Sequence, residues 1–97
     1  MPEQQPQQIK ISLDEKTAAG KYSNIAMISH TENEFISDFA FVHPPSGKVV
    51  SRIIMSPSHA KRFLKALGDN ISMFEKKFGP IKEAPEPPKF GINLGAN

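Results

Sequence analysis

The stretch EFISDFAFVHPPSGKVVSRIIM, residues 34–55, decides the fold of this 97-residue chain. Residues 34–43 alternate between two sides that are both largely apolar, which is typical of a strand covered on both faces. Residues 44–48, PPSGK, are turn formers, and residues 49–55, VVSRIIM, are again apolar on both sides. The pattern predicts two neighbouring antiparallel strands, 34–43 and 49–55, joined by a turn.

Two shorter segments upstream extend this sheet. IKISL, residues 9–13, alternates apolar and polar side chains and predicts a half-buried strand, and residues 14–21, DEKTAAGK, interrupt it. YSNIAMIS, residues 22–29, is a further strand candidate, and residues 30–34 are a polar turn. We therefore predict a four-stranded antiparallel meander.

The segment after the sheet carries start and stop signals that predict one long helix. Ser56 is a good N-cap, Pro57 suits the first helical position, and Gly79-Pro80 is a stop signal, so the helix should span residues 57–78. The predicted fold is α+β, with the four-stranded sheet followed by one C-terminal amphipathic helix. Its domain should span residues 9–81, between a disordered tail at residues 1–8 and a flexible, Pro- and Gly-rich tail at residues 82–97.

Two features of this pattern predict a homodimer or a higher oligomer. One helix covers only one face of a sheet, yet the strands are apolar on both faces, so a second copy of the chain would cover the other face. The helix also carries apolar residues at alternating spacings of three and four, and at about 33 Å it is longer than a four-stranded sheet is wide. The oligomer-interface candidates are Leu64, Leu67, Ile71, Phe74 and Phe78.

Composition excludes several classes of protein. There is no cysteine, and the three histidines are scattered without acidic neighbours at metal-ligand spacing, so we expect no disulfide, no metal and no cofactor. No nucleophile elbow or HExxH motif is present, and an enzyme is not expected. The chain shows no leader or long apolar run, which predicts a soluble, cytoplasmic protein without a membrane span. The formal charge of +2 is compatible with nucleic acid but does not demand it.

The start of the helix is one candidate binding site. Free N–H groups at a helix N-terminus attract anions, and polar and basic side chains cluster there. The candidates are Ser56, Ser58, His59, Lys61 and Arg62. The simpler interpretation is a capped helix start followed by a solvated basic face, with the anion site as the alternative.

Basic strand residues interleaved with Tyr22 and phenylalanines form a second candidate, a nucleic-acid face that would combine stacking with charge. Its cations are Lys10, Lys21, Lys48 and Arg52. The alternative is that the phenylalanines serve the core.

Three further features of the sequence each allow more than one interpretation. Asp38 should pair across the strands with Arg52, as a structural ion pair rather than a catalytic group. Asn24, unusual within a strand, either makes a side-chain hydrogen bond to a turn or a neighbouring subunit, or contacts a base or a peptide as part of a binding site. Residues 89–94, KFGINL, are either a disordered end or a strand added to a sheet edge.

The segments RIIMSPSHAK and FEKKFGPI resemble a small bacterial and archaeal family catalogued as domain of unknown function 3467. The resemblance covers about residues 9–81, and it implies no activity and no catalytic residues. In layout alone the chain is similar to PC4-like single-stranded-DNA-binding cofactors and to SecB-like chaperones, although the signature motifs of both are missing.

These observations favour a non-catalytic oligomeric binding module, with single-stranded nucleic acid or another polyanion as its ligand. The alternative is a protein-interaction or chaperone-like adaptor that uses apolar helix and sheet surface. A small enzyme with an anion site at the helix start is the third hypothesis.

Overall fold

A computed structural model describes residues 6–83 of the chain. The elements in chain order are α1 (Glu15–Ala18), β1 (Ile25–His30), β2 (Phe35–His43), β3 (Ser46–Met55) and α2 (Pro57–Phe78). The α+β class, the antiparallel sheet and the C-terminal helix are as predicted, but the sheet has three strands, in the order β1-β2-β3, not four. The described residues divide into two compact units after Ala60.

The predicted strand at residues 9–13 is wrong. These residues form no regular element, and the side chains of Ile9, Ile11 and Leu13 are exposed. Alternation shows that a segment would suit a half-buried strand, but a strand also needs a partner that accepts its hydrogen bonds. Within residues 6–83 the sheet gives this segment no such partner.

The segment expected only to interrupt the sheet contains the short helix α1. The Asp14 carboxylate caps it by accepting a 2.8 Å hydrogen bond from the Thr17 N–H. Hydrogen bonding to the Thr17 side chain, and then to this N–H, lowers the pKa of Asp14. Gly20 follows with φ of +77°, a left-handed conformation that glycine adopts without strain, and its N–H donates to the Thr17 carbonyl at 3.1 Å. The chain therefore reverses here before it enters the sheet.

Strand β1 begins at Ile25, later than predicted, because Ser23 and Asn24 join the sheet through their side chains. The Ser23 hydroxyl donates to the carbonyls of Ile25 and Ala40, each at 3.0 Å. The Asn24 amide donates to the Val42 carbonyl and accepts from the Val42 N–H, both at 2.9 Å. Asn24 thus makes a side-chain hydrogen bond, but its partner is Val42 on strand β2, not a turn or a neighbouring subunit.

Strands β2 and β3 form a hairpin that contains one irregularity. Strand β3 starts at Ser46, so the turn is confined to the Pro44–Pro45 pair, whose peptide bond is cis. Phe39 pairs with Ser51 and Ala40 pairs with Val49, which leaves Val50 as an extra, bulged residue. The bulge reverses which face the following side chains of β3 occupy.

The sheet buries few apolar side chains. Among the described residues Ala40, 3% exposed, is the one buried hydrophobic residue, and Ser37 and Asp38 are the buried polar ones. Ile28 and Ile53 on one face and Ile54 on the other are exposed. The expectation that both faces of the sheet are apolar is therefore confirmed.

Helix α2 has the predicted limits. The Ser56 hydroxyl accepts a 3.2 Å hydrogen bond from the His59 N–H at its start, as an N-cap does. At its end Gly79 adopts φ of +95°, and its N–H donates to the Glu75 carbonyl at 2.9 Å. Within residues 6–83 no helix combines the length and the hydropathy needed to cross a membrane.

Candidate functional site

One face of the sheet carries a row of aromatic side chains. Phe35, Phe39 and Phe41 alternate along β2 and therefore share a face. Tyr22 meets Phe41 edge-on, with ring centroids 5.9 Å apart, and the His30 ring lies 5.5 Å from Phe35. We call this surface, made of these five residues, the aromatic face. Tyr22 is 78% exposed and Phe41 is 44% exposed, so these two rings are open to a ligand, while Phe35 and Phe39 are half-buried.

Three lysines lie beside the aromatic face. Lys48 is opposite Phe41 in the β2–β3 register, and Lys16 and Lys21 line a cleft together with Phe39. Within residues 6–83 none of the three forms an ion pair. Their charge is therefore available to an anion that lies along the rings.

Arg52 lies on the opposite face of the sheet, which corrects the expectation that it lines the same path as Lys48. It pairs in register with Asp38, three residues from Phe41 along β2, and residues three apart on a strand face opposite ways. In a regular strand, Lys48 and Arg52, which are four residues apart, would lie on the same face. The extra residue at Val50 shifts the alternation, so the two side chains lie on opposite faces.

Asp38 and Arg52 form the predicted cross-strand ion pair. Arg52 Nε donates to one carboxylate oxygen at 2.6 Å, and Nη2 donates to the other at 2.9 Å. These hydrogen bonds, helped by the attraction between the two opposite charges, lower the pKa of Asp38 and raise that of Arg52, although desolvation opposes both shifts. Asp38 is 5% exposed, and its position in the middle of β2 makes the pair structural in character. Arg52 thus already has an anionic partner.

The fourth predicted cation, Lys10, lies off the sheet. It is exposed in the segment that precedes α1. Sequence reasoning missed Lys16, because residues 14–21 were expected to be a plain interruption. The Asp14 cap before Glu-Lys-Thr-Ala was the available signal for a helix there.

The start of α2 is built as a capped helix. Besides accepting from the His59 N–H, the Ser56 hydroxyl lies 3.4 Å from that of Ser58. Both hydroxyls therefore have partners within the turn, as the simpler interpretation expects. Lys61 and Arg62 are exposed residues of α2, and an anion at this turn stays a prediction.

The predicted interface residues are exposed along α2. Leu64 is 71% exposed, and Phe74 and Phe78 pack against each other with ring centroids 4.9 Å apart. We call these residues the seam, and its members are Leu64, Leu67, Ile71, Phe74 and Phe78. Lys77 Nζ lies 5.4 Å from the Phe78 ring centroid, which gives the seam a charged border. Such a row of apolar side chains suits contact with another apolar surface.

The aromatic and lysine side chains on the sheet are of the kinds that can contact a ligand by stacking and by charge. Aromatic rings stack on planar groups, and lysine ammonium groups attract anions. Within residues 6–83 no cluster of three or more His, Asp and Glu side chains is placed to hold a metal ion. Rings and cations together are the means by which proteins hold single-stranded nucleic acid.

The comparisons with known proteins identify a family. Neither the curated proteins nor the solved structures give a significant match to the chain, and the layout likeness to PC4-like and SecB-like proteins is unconfirmed. A family model matches residues 1–83, which includes every element of the fold and the two segments that carry the resemblance. The chain belongs to the family described as Protein of unknown function (DUF3467).

Proposed function

We propose that this protein is a non-catalytic binding module whose aromatic face binds single-stranded nucleic acid. The observation that carries the proposal is the alternation of Phe35, Phe39 and Phe41 on one face, beside lysines that have no ion-pair partner among residues 6–83. Base-on-ring stacking contributes about 1–3 kcal/mol per base and tolerates any base, because every base has a planar face.

The size of the aromatic face suits a short segment of strand. Phe35 and Phe41 are six residues apart, which corresponds to about 20 Å along an extended strand. Tyr22 extends the row beyond Phe41. Sites of about 4–16 nucleotides are usual for single-strand binders, and this length suits the lower end of that range.

The charges supply the electrostatic part of the affinity. Lys16, Lys21 and Lys48 would each neutralise one phosphate, and binding would release the counterions that these phosphates hold. For three such contacts with a single strand, the slope of log affinity against log salt is about −2. Binding should therefore be modest in strength and clearly dependent on salt.

Fluorescence anisotropy with a labelled oligothymidylate of about 15 nucleotides tests the proposal directly, at low salt and then through a salt titration. We expect saturable binding with a slope near −2. Lys48→Gln should weaken binding and make the slope shallower, whereas Lys82→Gln, a change at an exposed lysine beyond α2, should do neither. Absence of binding at low salt, or equal losses in the two variants, would overturn the proposal.

A second function, favoured by the exposed seam of α2, is a protein-interaction module. We propose that the seam binds a second copy of the chain, because Leu64 and its neighbours leave apolar surface in water. Such an apolar complex should hardly respond to salt, whereas the nucleic-acid complex should weaken steeply. The two functions are compatible, since they use different elements.

A further inference from the structure

We propose that the cleft between α1 and the sheet binds a phosphate joined to a planar ring, the chemistry of a single nucleotide. This site rests on the proposed function, because it assigns the point on the aromatic face at which one nucleotide unit is held. The cleft lies within the unit that contains the sheet and has a volume of about 440 Å³, within the ~300–1,000 Å³ range of small-molecule sites.

The polar wall of the cleft comes from the chain around α1. Lys16, Thr17 and Lys21 line it, and Gly20 turns the backbone between the two lysines through its left-handed conformation. Two lysines five residues apart in the chain thus line the same cleft. Within residues 6–83 neither meets a carboxylate, so an anion is the complementary ligand group.

The other wall of the cleft comes from the middle of the sheet. Phe39 and Val50 give it an apolar surface, and Ser51 adds a hydroxyl. Val50 is the bulged residue, and bulges often lie next to binding sites, where they redirect side chains. A planar ring against Phe39 would fill this part of the cleft, while its phosphate reaches the lysines. Inorganic phosphate, which has no ring, would make no contact with the apolar wall.

Heteronuclear NMR titrations of the full chain with AMP, adenosine and inorganic phosphate test this site. We expect AMP to bind more tightly than either fragment, with the largest amide shifts at residues 16–21, 39 and 50–51. The double variant Lys16→Gln/Lys21→Gln should weaken AMP by about tenfold, since hydrogen bonds to charged groups are the stronger ones. Both lysines are exposed, so the variant should keep the fold, and Lys82→Gln is the matched control.

Competition with the oligothymidylate separates failure of the cleft from failure of the proposed function. If the oligonucleotide binds but AMP neither binds nor competes, and the double variant retains full affinity, the cleft assignment is wrong and the aromatic face stands. If AMP binds in the cleft but no oligonucleotide binds, the ligand is a free nucleotide and strand binding is wrong. Equal affinity for AMP and inorganic phosphate would also overturn the cleft, because the ring would then contribute nothing.

Discussion

At the scale of single residues, Asp38 is the most constrained position in the sheet. Its carboxylate is buried in the middle of β2, and both oxygens accept hydrogen bonds from Arg52. The Arg52 side chain is 59% exposed, so the desolvation that the ion pair offsets is mainly that of the Asp38 carboxylate. The sequence predicted this pair because a lone mid-strand Asp needs a cation on the adjacent strand.

Asp38→Asn tests the pair through the pH dependence of stability. The pKa of Asp38 is lower in the folded chain than its ordinary value of 3.8, so the stability it contributes is present above about pH 3.8. That stability is lost as pH falls through the lowered pKa. We expect the variant to unfold at lower urea than the wild type at neutral pH, and to lose less on acidification.

Asp69→Asn is the matched control, because Asp69 accepts from Lys65 at 3.1 Å in an exposed pair on α2. Exposed pairs four residues apart on a helix contribute only about 0.3–0.5 kcal/mol. A profile of Asp38→Asn that matches those of the wild type and this control would mean that the Asp38–Arg52 pair contributes nothing to stability.

The bulge at Val50 is a feature that the sequence did not predict. Val50 lies between Val49 and Ser51 in VVSRIIM, a segment with no glycine to indicate a bulge. An extra residue in one strand is defined by the pairing with its partner, which the strand's own sequence does not encode. For this reason the sequence could not predict that Arg52 lies on the face of the sheet opposite to Lys48.

At the scale of elements, signals that are local in the chain predicted well and signals that depend on a distant partner did not. Both ends of α2 followed from Ser56-Pro57 and Gly79-Pro80, where a few adjacent residues decide the backbone. The strand at residues 9–13 failed because its alternation needed a pairing partner elsewhere. Strand β1 starts later than predicted, at Ile25, and Ser23 and Asn24 before it add side-chain hydrogen bonds to β2.

Two glycine variants test whether α2 continues through Gly68 and ends at Gly79. Gly68 lies inside the helix, where an added Cβ would meet no atom within 4 Å, so Gly68→Ala should stabilise the fold by about 0.5–1 kcal/mol. Gly79 has φ of +95°, so Gly79→Ala should destabilise it by about 1 kcal/mol. Urea denaturation followed by circular dichroism measures both. Stabilisation by Gly79→Ala would show that Gly79 does not end the helix.

Charges placed in the seam test self-association. Leu67→Glu or Phe74→Glu should dissociate the oligomer or unfold the chain, because either change brings a charge into an apolar contact. Lys61→Glu and Arg62→Glu, on the same helix, should leave the assembly and the fold nearly intact. Light scattering with circular dichroism distinguishes dissociation from unfolding. A wild-type chain that stays monomeric at micromolar concentration would contradict the proposed self-association.

At the scale of the whole molecule, the described residues hold little core and much exposed apolar surface. Ala40 alone is a buried hydrophobic residue among them, while Phe41, Ile53 and the seam are open. A domain of about seventy residues buries only about 60% of the surface that its unfolded chain exposes, and it commonly gains further stability from a partner. The sequence predicted this surplus because its strands are apolar on both sides, but sequence patterns do not name the partner.

Aromatic ¹H–¹³C NMR of the full chain, titrated with the oligothymidylate, tests the central claim most directly, because the stacked rings themselves report the contact. The chain has one tyrosine and no tryptophan, so the resonances of Tyr22 are assigned without ambiguity. We expect the rings of Tyr22 and Phe41 to shift on binding, while those of Phe74 and Phe78 on α2 stay unchanged. Binding that shifts the α2 rings and leaves Tyr22 and Phe41 unmoved would contradict the aromatic face as the nucleic-acid site.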